Sequence, residues 1–190
     1  MDNKKIPVGI SSRHIHLSEK DLFILFGNNY KLNQIKDLSQ TGQYAAAEEV
    51  KIATFKDTIE KIRILGPVRP DTQIELSITD CFKLGLKAPV RESGDINDTP
   101  GIIVIGPKGF IKLEKGVIIA ARHIHMNPDN SQFFGVTNKQ IVSVKTEGER
   151  SIIFNNVVVR VREDFMLDFH IDTDEANCAK LSNGDFITII

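Results

Sequence analysis

The feature that most constrains this chain is an internal repeat. The segment VGISSRHIHL at residues 8–17 returns 109 residues later as VIIAARHIHM at residues 117–126. A second echo links residues 67–75 with residues 160–168 at an offset of 93, in the same order along the chain. Ordered repeats of this kind indicate a duplicated unit. We therefore expect the 190 residues to fold as two similar small domains.

Both halves show the same order of predicted elements. Each starts with an apolar, β-branched strand, at 6–15 and 117–124, and continues with a helix capped by Ser18 or Asn127 and ended by Gly27 or Gly135. Further strands are predicted at 47–53, 58–65, 73–78 and 87–91 in the first half and at 140–146, 151–161, 165–171 and 185–190 in the second. Short helices are predicted at 79–84 and 174–181.

The predominance of strands decides the predicted fold class. Few helices are long enough to cross over a parallel sheet, so we predict a mainly β (α+β) protein with two duplicated small β-barrel domains capped by helices. The predicted domains are residues 1–100 and 101–190, with a boundary near 95–115 and a linker at 95–101. A hairpin at 102–105 and 110–113 could belong to either half.

Composition excludes several classes of protein. The net charge is −1, with 41% hydrophobic and 26% charged residues, which is typical of a globular protein and gives no basic surface for nucleic acid or anionic membranes. Cys81 and Cys178 are far apart, which favours a reducing compartment. No apolar run reaches the ~20 residues of a membrane span, and no secretory signal is visible. These features predict a cytoplasmic protein without nucleic-acid or membrane partners.

Histidine placement is the main indication of chemistry. Four of the five histidines lie in the two Arg-His-Ile-His tetrapeptides, whereas composition alone predicts about 0.13 His-x-His pairs. In a strand, His14 and His16 face the same side, as do His123 and His125. Such pairs suit a divalent cation, most often zinc. There are two alternatives to a pair of metal sites. The histidines could be ordinary hydrogen-bonded residues, or only one of the two His-x-His copies could be functional.

A third ligand is predicted for each half. His170 and Glu75 lie near the ends of corresponding strands, although Glu75 could equally be a surface carboxylate. Six candidate ligands are too many for one tetrahedral zinc. Two zinc ions with three protein ligands each would leave one position open on both, as in catalytic sites.

Arg69 is the candidate for binding an anion. It precedes the strand of Glu75 in the segment Gly66-Pro67-Val68-Arg69-Pro70. A guanidinium near two cations suggests a phosphate between them, although a surface arginine paired with a carboxylate would look the same. The chain contains no Walker loop, no GxGxxG and no GxSxG motif.

These segments together resemble a known enzyme family. The matching stretches, residues 7–17, 65–75, 88–101, 121–126 and 168–177, are similar to those of the PduL-type phosphate acyltransferases, the phosphate propanoyltransferases. The resemblance implies two β-barrel domains and reversible transfer of propanoyl or acetyl groups between coenzyme A and inorganic phosphate.

The resemblance also assigns roles to residues. It implies a dinuclear zinc site with His14, His16, Glu75, His123, His125 and His170 as ligands, and Arg69 as the catalytic residue that contacts phosphate. Contacts with coenzyme A are carried over to Ser11, Ser12, Arg13, Lys56, Arg63 and Asn177. The implied partners are acyl-coenzyme A, phosphate and acyl phosphate, with a homo-oligomer as an option.

Two rival functions and one departure from the family remain. A zinc hydrolase would use hydroxide in place of phosphate, and a non-catalytic metal-binding module would not depend on Arg69. Many family members carry an amphipathic N-terminal extension that targets a bacterial microcompartment. Only six residues precede the first motif here, so we expect a cytoplasmic form.

Overall fold

The structure, a computed structural model, describes residues 4–190. The strands in this range are β1 (Ile6–Ser11), β2 (His14–His16), β3 (Gln34–Asp37), β4 (Tyr44–Ala53), β5 (Thr58–Gly66), β6 (Gln73–Glu75), β7 (Val90–Arg91), β8 (Ile102–Ile105), β9 (Phe110–Leu113), β10 (Val117–Ala120), β11 (His123–Met126), β12 (Ile141–Thr146), β13 (Ile153–Val161), β14 (Asp168–Asp172) and β15 (Phe186–Ile189). The helices are α1 (Glu19–Phe26), α2 (Ile78–Leu84), α3 (Pro128–Phe134) and α4 (Thr173–Ala179).

The chain forms two units, and it passes from one to the other several times. The barrel unit contains residues 4–11, 39–41 and 121–190, and the sheet unit contains residues 12–38 and 42–120. This grouping differs from the predicted division at about residue 100. The predicted linker at 95–101 connects β7 to β8, which both belong to the sheet unit.

The barrel unit is a closed barrel of six strands. Their order is β1-β14-β11-β13-β12-β15, in which β1 and β14 are parallel and β11 and β14 are antiparallel. Inward-facing apolar side chains fill it, and Phe169 and Ile124 are fully buried. Alternation along the strands directs these residues inward.

The sheet unit is built on a nine-stranded sheet. Its main order is β7-β10-β6-β2-β5-β4-β8-β9, and β3 pairs with β4. Ile15, Ile64 and Ile74 lie on adjacent strands and are fully buried in its core. The short strand β2 lies in the middle, antiparallel to β6 and parallel to β5.

The predicted mainly β fold with short helices is confirmed. The predicted caps are also confirmed: Ser18 accepts a hydrogen bond from the amide of Asp21, Asn127 accepts one from the amide of Asn130, and both helices end at glycine. The predicted hairpin at 102–113 is present as β8 and β9. Strand β3 was not predicted. None of the helices in residues 4–190 is long and apolar enough to cross a membrane.

The first strand of each repeat is broken in two, contrary to prediction. Residues 6–15 form β1 in the barrel unit and β2 in the sheet unit, and residues 117–124 form β10 in the sheet unit and part of β11 in the barrel unit. The breaks fall at Ser12-Arg13 and Ala121-Arg122. Each repeat therefore contributes its opening strand to one unit and its His-x-His strand to the other.

Two candidate metal centres

Two paired strands in the sheet unit bring together His14, His16 and Glu75. The histidines lie on β2 and the carboxylate on β6, where Glu75 is directly opposite His14. One ligand atom from each residue lies within 4.8 Å of the others. Alternation explains the arrangement, because the intervening Ile15 and Ile74 point into the core on the other face. We call these three residues the β2–β6 group.

The barrel unit contains a corresponding group of three histidines. His123 and His125 lie on β11, and His170 lies on β14 directly opposite His123. Their ligand atoms also lie within 4.8 Å of one another, and the ring centroids of His125 and His170 are 4.8 Å apart. We call these residues the β11–β14 group.

Backbone carbonyls set the tautomers of three of the histidines. The Nδ1 atoms of His14, His16 and His123 lie 2.8, 3.2 and 2.8 Å from the carbonyl oxygens of Ser12, Leu65 and Ala121, respectively. A carbonyl can only accept a hydrogen bond, so each Nδ1 carries the proton and Nε2 carries the lone pair. This lone pair is what a metal ion requires.

His170 and His125 also have a ring nitrogen that can act as a metal ligand. His170 Nε2 lies 2.8 Å from Asp168 Oδ2 and donates its proton there, so its lone pair is on Nδ1. His125 Nδ1 is the only buried side-chain nitrogen or oxygen in residues 4–190 that lacks a hydrogen-bond partner. A buried unsatisfied nitrogen is costly, and its presence among two further imidazoles points to a ligand that completes the site.

Electrostatics hold His16 and Glu75 of the β2–β6 group in metal-binding protonation states. Burial lowers the pKa of His16 well below its usual value, and the charges of His14 and Arg69 lower it further. Burial raises the pKa of Glu75, but the neighbouring His14, His16 and Arg69 and a hydrogen bond from Ser93 outweigh it, and the net pKa is about 2. At neutral pH, His16 is therefore neutral and Glu75 is ionised.

In the β11–β14 group, His125 shows the same tendency. Burial is the largest cause that lowers the pKa of His125 to about 2, and the charges of His123, His170, Arg160 and Arg162 lower it further. Metal ligation requires neutral imidazole and ionised carboxylate. At neutral pH, His16, His125 and Glu75 are therefore already in the protonation states that metal ligation requires.

The donor sets fit zinc. Two imidazoles with a carboxylate, and three imidazoles, are both known ligand sets of catalytic zinc. A tetrahedral zinc with bonds of ~2.0–2.1 Å holds its ligand atoms roughly 3.4 Å apart. Each group, with ligand atoms at most 4.8 Å apart, therefore needs only small side-chain movements. The structure brings together all six predicted ligands in two groups of three, and their ligation of metal stays a prediction.

Arg69 lies beside the β2–β6 group. Its backbone amide donates to the carbonyl of Leu17 at 2.9 Å, and its Nη1 donates to Ser93 Oγ at 3.0 Å. The positive charge of Arg69 lowers the pKa values of His16 and Glu75. Ser93 was not predicted as a site residue, although it lies two residues after Pro89-Val90-Arg91, which repeats the Pro67-Val68-Arg69 pattern.

The strand register corrects the alignment of the second echo. The offset of 93 residues pairs Glu75 with Asp168 and Ser77 with His170. In the structure, Glu75 faces His14 as His170 faces His123, and Ser77 caps α2 as Asp172 caps α4. Glu75 and His170 are therefore the equivalent residues, and 95 positions separate them.

The arginine of each tetrapeptide has the same structural role. Arg13 Nε and Nη2 contact the Asp80 carboxylate at 3.0 and 2.9 Å, and Arg122 Nε contacts Glu175 Oε1 at 2.8 Å. Asp80 and Glu175 are the third residues of α2 and α4 and complete their capping boxes. Each arginine therefore ties its His-x-His strand to the helix that follows the third ligand.

The cations predicted to contact coenzyme A already have partners in the sheet unit. Arg63 contacts Glu49 Oε1 at 2.5 Å, and Lys56 Nζ donates to the carbonyl of Phe82 at 3.0 Å, while Arg13 is paired with Asp80 as described above. Of the remaining candidates, Ser11 is the last residue of β1, Ser12 lies in the exposed link before β2, and Asn177 lies on the exposed side of α4. Their contact with coenzyme A stays a prediction.

Comparison with known proteins identifies the family. A family model described as phosphate propanoyltransferase matches residues 7–182. The chain is similar to proteins named phosphate propanoyltransferase from Thermotoga maritima (56% identity, covering 97% of this chain and 89% of the relative), Lachnoclostridium phytofermentans (50%, covering 97% and 87%) and Clostridioides difficile (46%, covering 97% and 88%). The chain therefore belongs to the phosphate propanoyltransferase family, a family of phosphate acyltransferases.

Proposed function

We propose that this chain catalyses the reversible transfer of a short acyl group, propanoyl or acetyl, between coenzyme A and inorganic phosphate. We further propose that zinc held by the two groups forms a dinuclear site that binds and orients the phosphate. Family membership supports the first statement. The observation that carries the second is the pair of three-ligand groups on equivalent strands, one of them beside Arg69.

His14, His16 and Glu75 would hold one zinc ion, and His123, His125 and His170 the other. Three protein ligands leave a coordination position open. Zinc in these positions would supply Lewis-acid stabilisation of negative charge and would help to orient phosphate. The protein's own contribution is to fix the ligands, because their tautomers and charges are set by neighbouring groups before any metal binds.

Arg69 would bind phosphate and offset its charge. A guanidinium presents two parallel N–H groups that match phosphate oxygens, and Ser93 orients one of its nitrogens. A phosphate oxygen would attack the thioester carbonyl, the C–S bond would break, and the coenzyme A thiolate would leave. Holding the two anionic reactants together supplies a large part of the rate enhancement, and no covalent acyl-enzyme is needed.

Contacts with coenzyme A are part of the same proposal. Arg13, Lys56 and Arg63 would face its phosphates, and Ser11, Ser12 and Asn177 would hydrogen-bond to it. A cytoplasmic location, the absence of nucleic-acid or membrane partners, and assembly as a homo-oligomer also stay predictions.

The test is the dependence of coenzyme A release on phosphate. Zinc-loaded protein would be given acetyl- or propanoyl-coenzyme A with and without phosphate, and free thiol and acyl phosphate would be measured together. We expect both products in equal amounts, and only with phosphate. A hydrolase would release thiol and free acid without phosphate, and a metal-binding module would release neither.

Substitution of Arg69 separates phosphate binding from metal binding. We expect Arg69→Ala to raise the KM for phosphate by at least tenfold while two zinc ions stay bound, because a charged hydrogen bond to phosphate contributes about 1.5–3 kcal/mol. Arg150→Ala is the matched control, since Arg150 is exposed and lies in the barrel unit. An unchanged KM would contradict the role of Arg69.

A further inference from the structure

Each candidate metal group includes a fourth residue that is not a predicted ligand. In the β2–β6 group, Gln73 lies opposite His16, and in the β11–β14 group, Asp168 lies opposite His125. Both lie two positions before the third ligand, Glu75 or His170, and so share its face of the strand. Both are nearly fully buried, with exposed fractions of 2% and 6%.

Gln73 is held as a hydrogen-bond donor toward Glu75. Its Nε2 donates to Glu75 Oε1 at 2.7 Å and to Ser93 Oγ at 2.9 Å. Its Oε1 accepts a hydrogen bond from the backbone amide of Gly94 at 2.7 Å. Because the amide of Gly94 can only donate, the side-chain amide of Gln73 cannot flip without losing this bond.

Asp168 is held as a hydrogen-bond acceptor toward His170. Its Oδ2 lies 2.8 Å from His170 Nε2, and an ionised carboxylate can only accept. Strand β1 leaves room for it at Gly9, where an added Cβ would lie 2.8 Å from both carboxylate oxygens. The imidazole of His170 is therefore oriented with Nδ1 directed away from Asp168.

We propose that Gln73 and Asp168 are matched positioning residues for the third ligand of each metal group. The polarity of each one is complementary to its ligand: an amide donor beside a carboxylate, and a carboxylate acceptor beside an imidazole. The duplicated strands thus carry two alternative pairs, Gln-x-Glu and Asp-x-His, at equivalent positions. This inference rests on the proposed metal-dependent function.

Removal of this complementarity in one group should weaken the binding of the zinc ion held by that group and leave the other ion unaffected. Gln73→Glu keeps the shape of the side chain but places a second carboxylate against Glu75. Asp168→Leu removes the acceptor and lets the proton of His170 move to Nδ1, the atom that would bind metal. Loss of such outer contacts typically weakens metal affinity by ~10–100-fold. Asp168→Asn keeps an acceptor oxygen and should retain more of the affinity than Asp168→Leu.

Exchange of the two pairs is the sharper test. Glu75→His alone places an imidazole beside the donor amide of Gln73, whereas Glu75→His with Gln73→Asp copies the Asp-x-His pair of the barrel unit. We expect the double variant to bind its zinc at least tenfold more tightly than the single variant. Equal affinities would overturn the inference.

Zinc affinity is measured by chelator competition, and Co²⁺ absorption spectra report the geometry of each ion. The exposed residues Gln132 and Asp129 on α3 provide the controls Gln132→Glu and Asp129→Asn, which should leave both zinc ions unaffected. Circular dichroism reports folding, and a variant that loses its fold counts against a positioning role. If the unaltered protein binds no zinc, the proposed function fails. If it binds two ions and the variants bind them equally well, only this inference fails.

Discussion

Acid should destabilise the metal-free protein through His125, whose pKa in the folded state is about 2 because of its burial and the charges around it. Above pH ~6.5 His125 is neutral in both the folded and the unfolded state, and it adds no pH dependence. Below that pH the unfolded chain binds a proton that the folded chain does not. The free energy of unfolding therefore falls by ~1.4 kcal/mol per pH unit for this group.

The expected loss between pH 7.5 and pH 5.0 is about 2 kcal/mol from His125. It can be measured by urea unfolding of the metal-free protein at both pH values. Glu75 does not contribute in this window, because its pKa is lowered from 4.5 to about 2 and its effect appears only below pH ~4.5. His16, whose pKa is also lowered, adds a loss of the same sign.

The variant His125→Gln isolates the contribution of this residue. It removes the titrating group, so its loss of stability between pH 7.5 and pH 5.0 should be smaller than that of the unaltered protein by about 2 kcal/mol. An equal loss in both proteins would refute the reasoning. It would mean that His125 is protonated in the folded state as readily as in the unfolded chain.

Three further perturbations test the structural account. Arg122→Gln removes the ion pair with the partly buried Glu175, and we expect a loss of about 1–3 kcal/mol in unfolding free energy, with no loss in the control Arg150→Gln. Gly9→Ala places a Cβ 2.8 Å from both oxygens of Asp168. It should lower the free energy of unfolding by about 1–3 kcal/mol and weaken zinc binding by the β11–β14 group. Unchanged zinc affinity would argue against the contact. Zinc at 100-fold excess over its Kd should stabilise the chelator-treated protein by about 2.7 kcal/mol for each ion bound, and thermal unfolding without any shift would contradict zinc binding to the folded state.

The ligand groups could be predicted from sequence because their geometry is local. His14 and His16 share a face through the alternation of a single strand, and the repeat predicts the same for His123 and His125. Glu75 and His170 were also predicted, although the second echo aligns the two halves at an offset of 93, whereas the strand register requires 95. The error arose because a shift of two residues in the alignment keeps each residue on the same face of its strand, so it does not change the alternating pattern of apolar residues.

The exchange of strands between the two units could not be predicted. Residues 6–15 are predicted as one strand, yet β1 pairs with β14 and β15, whereas β2 pairs with β5 and β6. A sequence pattern shows which face of a strand is buried, but it does not show which strand lies beside it. The positioning roles of Gln73 and Ser93 were missed for the same reason, since Ser93 lies on a loop distant in sequence from Arg69 and Gln73, which both donate to its hydroxyl.

The measurement that tests the central claim most directly is a zinc titration of metal-free protein with acyl phosphate formation recorded at each step. We predict that activity is absent without metal, stays low through the first equivalent of zinc if one group fills before the other, and reaches its maximum at two equivalents per chain. Full activity in the metal-free protein, or saturation at one equivalent with the second group empty, would contradict a reaction that depends on both groups.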